Sequence, residues 1–128
     1  MKLSELELKI FKHIWTIGEK ATIQEILDSW EDEPLPQYTT ILKTLQILEQ
    51  KGLVGHEKSG RAFKYVPLVS KKEAMDSNVG NIVKTFFDGS KLAFAQSFLG
   101  DNKFSDREIK ELKKLLTEKE RESKNGTL

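Results

Sequence analysis

Four times in 128 residues a hydroxyl side chain is followed three positions later by glutamate, just ahead of apolar residues at helical spacing. The pairs are Ser4 with Glu7, Thr22 with Glu25, Ser70 with Glu73, and Ser105 with Glu108. In such a box the hydroxyl accepts from the third helical amide while the carboxylate reaches back to the cap amide, so two orphan donors are satisfied together. Each pair therefore predicts a helix start. The first helix is expected over about Glu5 to Ile17, with Leu6, Ile10, Ile14 and Ile17 in one stripe and Gly18 as its stop. The second is expected over about Ile23 to Trp30, burying Ile23, Ile26, Leu27 and Trp30. EDEPLP must then be loop, because Pro34 and Pro36 would break a helix.

A third helix needs no box to be legible. In YTTILKTLQILEQKGLV, residues 38–54, the apolar spacing predicts a helix from about Thr39 to Lys51, closed by Gly52 in the position that favours a left-handed residue. LVGHEK and RAFKYV follow as two short runs joined by Ser59-Gly60, and the second alternates Ala62, Lys64 and Val66 with Phe63 and Tyr65. That alternation predicts a β-hairpin. Three helices and a hairpin, in roughly 65 residues, are the order of a winged helix-turn-helix domain.

Past Pro67 the pattern is helical only, over about 71–88, 91–99 and 106–120. The expected fold class is thus mainly α with a small β-hairpin: a winged-helix domain over 1–69, a helical region over 70–122, and a disordered tail over 123–128. Three short helices carrying so many large apolar residues cannot close a core of ordinary size alone. Val83, Phe86, Phe87, Phe94, Phe98, Ile109, Leu112 and Leu116 are accordingly expected to pack against a second copy of the chain.

Advancing 100° per residue from Ile41 puts Leu45 at about 40°, Leu48 at about 340° and Leu42 at about 100°. The opposite side of the helix holds Thr39, Thr40, Lys43, Gln46, Ile47 and Gln50, while Glu49, at about 80°, falls on the flank of the buried side. Threonine and glutamine reach base edges and phosphate oxygens, lysine neutralises phosphate, and a protruding isoleucine meets a thymine methyl. The side chains in that pattern point to double-stranded DNA. Charge agrees: residues 1–36 hold four lysines against eight acids, net −4, whereas residues 37–67 hold five cations against Glu49 and Glu57, net +3. Lys58, Arg61 and Lys64 bracket the hairpin tip, where a wing would reach the minor groove or the backbone.

Other classes fare poorly. The chain has no cysteine, which removes disulfides, thiolate metal sites and Cys nucleophiles. His13 and His56 have no partner at usable spacing, and no phosphate-binding glycine loop or metal-spaced cluster occurs, so no enzyme, metal or cofactor is expected. A charged fraction of 32% and a mean hydropathy of −0.49, with no apolar run near the roughly 20 residues of a membrane span, predict no membrane association. MKLSELELKIF lacks the continuous apolar core of a secretory signal, which fits a cytoplasmic protein. The competing reading is a winged-helix protein–protein interaction module that does not bind DNA.

The sequence also resembles the penicillinase repressor family, the group that includes BlaI, MecI and CopY. The matching segments are LSELELKIFKHIW, YTTILKTLQILEQKGLV, SGRAFKYVPLVS and FSDREIKELKKLL, which span nearly the whole chain. The resemblance implies a cytoplasmic homodimeric transcriptional repressor on inverted-repeat operator DNA, with Thr39, Thr40 and Lys43 in the DNA-contacting helix and Arg61 in the wing. Members that sense copper carry a cysteine-rich C-terminal motif, which this chain lacks. Members that respond to β-lactams are inactivated by a protease of a sensor system at an Asn-Phe bond. Here Ser97-Phe98 stands at that place, keeping the aromatic residue but not the asparagine. Ile47 stands where many members have arginine.

Overall fold

The computed structural model describes residues 1–125, which form six helices and one hairpin. In chain order these are α1 (Glu5–Ile17), α2 (Ile23–Ser29), α3 (Tyr38–Gln50), β1 (Val54–Ser59), β2 (Ala62–Pro67), α4 (Lys71–Phe87), α5 (Lys91–Asp101) and α6 (Asp106–Asn125). All four hydroxyl–glutamate pairs close as reciprocal caps. At α1, for example, Ser4 Oγ accepts from the Glu7 amide at 3.2 Å and the Glu7 carboxylate accepts from the Ser4 amide at 2.8 Å. Glu7 is only 7% exposed, and its second oxygen lies 3.5 Å from the Lys51 ammonium at the end of α3. One carboxylate thus caps one helix and ties it to another.

Ile10, Phe11 and Ile14 of α1, Ile23 and Ile26 of α2, and Ile41, Leu45 and Leu48 of α3 form the core, closed by Val54 and Tyr65 of the hairpin. Helical spacing marks most of these, but Phe11 lies outside the expected α1 stripe, and Leu6, Ile17, Leu27 and Trp30, expected to be buried, are only half-buried at the edge of the core. Gly52, at φ +76°, ends α3: its amide donates to the Glu49 carbonyl at 3.0 Å and the Leu53 amide to the Leu48 carbonyl at 3.0 Å. Such a paired closure satisfies the last carbonyls and reverses the chain into β1.

The structure differs from the sequence expectation in several places. The hairpin turn is Gly60-Arg61, not Ser59-Gly60, because Ser59 pairs with Ala62 and Gly60 takes φ +65° at the first of two turn positions. Arg61 therefore occupies the tip itself. Trp30 caps α2 from outside it, α3 begins at Tyr38, and Lys51 is its cap. Ala21, between α1 and α2, exchanges amide hydrogen bonds with Tyr65 at 2.8 and 3.1 Å. This bridge gives β2 a partner on its second edge and clamps the wing to the helices. The tail expected over 123–128 is helical through Asn125, since α6 continues four residues past Arg121; residues 126–128 lie outside the described residues.

α4 joins the winged helix rather than standing apart from it. Ala74 is buried in the same core, and the Asn78 side chain pairs with the backbone of Leu3. Past Asp88 and Gly89, both at positive φ, the chain turns sharply into α5. Among the described residues neither α5 nor α6 buries a side chain.

Candidate nucleic-acid interface

Packing Ile41, Leu45 and Leu48 inward leaves the other side of α3 in solvent: Thr39, Thr40, Lys43, Gln46, Ile47 and Gln50 are all exposed. Ile47 is 46% exposed although large and apolar. A shallow pocket on this face is lined by Thr39, Thr40, Lys43 and Gln46. Beside it runs a larger groove between the end of α3 and the wing. It brings Gln46 and Gln50 of α3 together with Arg61, Ala62 and Phe63 of the wing and with Thr22 and Gln24 at the start of α2.

Strand alternation separates the three wing cations. The register pairs Lys58 with Phe63, His56 with Tyr65 and Glu57 with Lys64. His56, Lys58, Phe63 and Tyr65 therefore share the face toward α3, while Glu57 and Lys64 share the other. Glu57 forms an ion pair with Lys20, which belongs to the connection before α2. Lys64 is half-buried. Lys43, Lys58 and Arg61 are exposed and form no ion pair among the described residues, in contrast to Lys9, Lys20 and Lys51.

Periodicity puts Glu49 on the flank of the core, yet its carboxylate lines the groove. It accepts from Nδ1 of His56, with oxygens at 2.6 and 2.9 Å. The His56 ring meets Phe63 edge-on at 4.9 Å. Tyr38, exposed at the start of α3, lines the same groove. That Tyr38, Glu49, His56 and Phe63 line this groove is not legible in the sequence, because the groove forms only where the wing folds back on α3.

The residues expected at an interface between subunits divide. Phe86 is 75% exposed, and Ile109, Leu116 and Phe98 are also exposed. Phe87, Phe94 and Leu112 are half-buried, with Phe87 edge-on to Phe94 at 5.6 Å and Phe98 edge-on to Phe104 at 5.8 Å. Val83 differs, at 9% exposed: it is buried within its own chain. Ser97 and Phe98 lie inside helix α5, Ser97 half-buried.

Over 120 residues the chain is 27% identical to the penicillinase repressor of Bacillus licheniformis, covering 91% of each. It is 29% identical over 72 residues to the transcriptional regulator BlaI of Mycobacterium tuberculosis, covering 56% of this chain and 52% of that one. Among solved structures, the DNA-binding domain of the repressor BlaI is 28% identical over 56% of this chain and 85% of its own, with a TM-score of 0.48. Residues 3–118 match the model of the penicillinase repressor family, so the chain belongs to that family.

Proposed function

We propose that the protein is a transcriptional repressor that binds double-stranded operator DNA as a homodimer, each subunit laying α3 in a major groove. The observation that carries this reading is that Lys43 and Arg61, exposed and without an ion pair among the described residues, line the pocket and groove on the hydrogen-bonding face of α3, with exposed Lys58 on the wing face turned toward them. Cations so placed neutralise phosphates, and the threonine and glutamine side chains between them read base edges. Thr39, Thr40 and Lys43 enter the groove first, Gln46, Ile47 and Gln50 follow, and Arg61 at the wing tip reaches the flanking backbone. Lys64, on the far face of the wing, contributes to the local field more than to direct contact.

The free apolar side chains Phe86, Phe98, Ile109 and Leu116, with Phe87, Phe94 and Leu112 beside them, form the contact between subunits. Two α3 helices then face two half-sites about one helical turn apart, which accounts for operators with inverted-repeat symmetry. A sensor-linked protease cutting between Ser97 and Phe98 would detach α6 and dissolve that contact. Because the bond lies within a helix, α5 must open locally before it is cut.

Selection of random duplexes on the purified chain tests the reading. Enriched sequences with two-fold symmetry and half-sites about one turn apart are expected. No enrichment over a control without protein would overturn it, and would favour a winged-helix module that binds protein instead.

A further inference from the structure

Helix α4 has two working faces. Ala74, Ser77, Asn78 and Asn81, spaced as one helical face, turn toward residues 1–4. The Asn78 amide donates to the Leu3 carbonyl at 3.2 Å and accepts from the Leu3 amide at 3.4 Å. Asn81 donates to the Met1 carbonyl at 3.3 Å, and the Ser77 hydroxyl donates to the same oxygen. Leu3 is buried and directly precedes Ser4, the cap of α1, so these amides hold α4 against the first helix of the DNA-binding unit. Met75, Val79, Ile82 and Phe86 form the other face, exposed and apolar. One helix thus grips the winged helix on one side and offers the subunit contact on the other.

We propose that Asn78 is a positioning residue that fixes the angle between the winged helix and the subunit contact, and thereby sets the half-site spacing the dimer accepts. This rests on the reading of the protein as a dimeric operator-binding repressor. Adding one base pair between half-sites moves one of them by about 3.4 Å and rotates it by about 34°. A dimer whose arms are clamped cannot follow that displacement, whereas one whose arms pivot at α4 can. Paired donor and acceptor bonds to one residue's backbone resist pivoting in a way that a single bond or an apolar contact does not, because both must break for the helix to swing.

The test uses the full chain and a selected operator in which the spacer is lengthened or shortened by one and two base pairs. Asn78→Leu keeps the side chain's size and removes both bonds. Its preference for the natural spacer is expected to drop by about tenfold or more, through tighter relative binding to the altered spacers. Binding to a single half-site and the dimer mass in sedimentation should stay as in the wild type, which a merely destabilised variant would not show. Asn81→Leu, which removes one bond of the same clamp, is expected to relax the preference less, and it decides the matter if Asn78→Leu fails to fold. Variants that fold, dimerise and keep the wild-type spacing preference would overturn the proposal. A wild-type chain that binds no duplex, or binds without regard to spacing, would instead remove the repressor reading beneath it.

Discussion

The Glu49 carboxylate on α3 accepts a hydrogen bond from Nδ1 of His56 on β1, its two oxygens 2.6 and 2.9 Å from that nitrogen. The bond ties the end of α3 to the wing and places a negative charge in the groove that DNA would fill on the proposed reading. Glu49→Gln leaves an amide oxygen to accept the same bond but deletes the charge. Operator binding is expected to tighten by about threefold per half-site, about tenfold for the dimer, most clearly at low salt. Titrations at two salt concentrations check this, and weaker binding by the variant would mean that the charge orders the wing more than it repels phosphate.

Salt dependence separates the wing cations. If the dimer neutralises about 6–10 phosphates, log affinity falls against log salt with a slope near −0.9 for each. Arg61→Ala should make the slope shallower by about two, one contact in each subunit, while Lys64→Ala, on the opposite strand face, should change it by less than one. Equal effects from the two variants would place Lys64 on the DNA as well.

Phe86 is exposed enough that Phe86→Glu should cost the single subunit no more than about 0.5 kcal/mol. Burying the new carboxylate between two subunits has no such latitude. The variant is expected to sediment as a monomer and to lose about a hundredfold or more in operator affinity while keeping its affinity for a single half-site. A dimer of unchanged mass would remove Phe86 from the contact.

His13 gives a pH dependence with a definite sign. Burial between α1 and α2 lowers its pKa below the ordinary 6.5, with the neighbouring Lys12 charge adding to the effect. Its ring stacks on Trp30 at 4.5 Å and its Nδ1 donates to Ser29 Oγ at 2.8 Å, while that hydroxyl donates to the Ile26 carbonyl. The fold prefers neutral imidazole, so unfolding takes up a proton between the depressed folded value and 6.5. The stability from this source is complete above about pH 6.5 and declines as the pH falls below it. Thermal melts from pH 7.5 to 5.5 should show a smaller loss for His13→Gln than for the wild type; parallel losses would mean that His13 stays solvated.

Helix positions, the inward faces of α1 to α3 and the exposed face from Thr39 to Gln50 were legible in the sequence because they are local properties. A capping box depends on residues three apart, and a buried stripe on a period of 3.6, so each is set within a turn or two of the chain. Tertiary structure alone decided that Glu49 faces the groove and meets His56, that Ala21 braces β2, and that Asn78 grips Leu3 from 75 residues away. Those relationships join groups whose separation along the chain carries no periodic signal. They exist only once burial of the common core has fixed the angles between elements, which no short window of sequence contains.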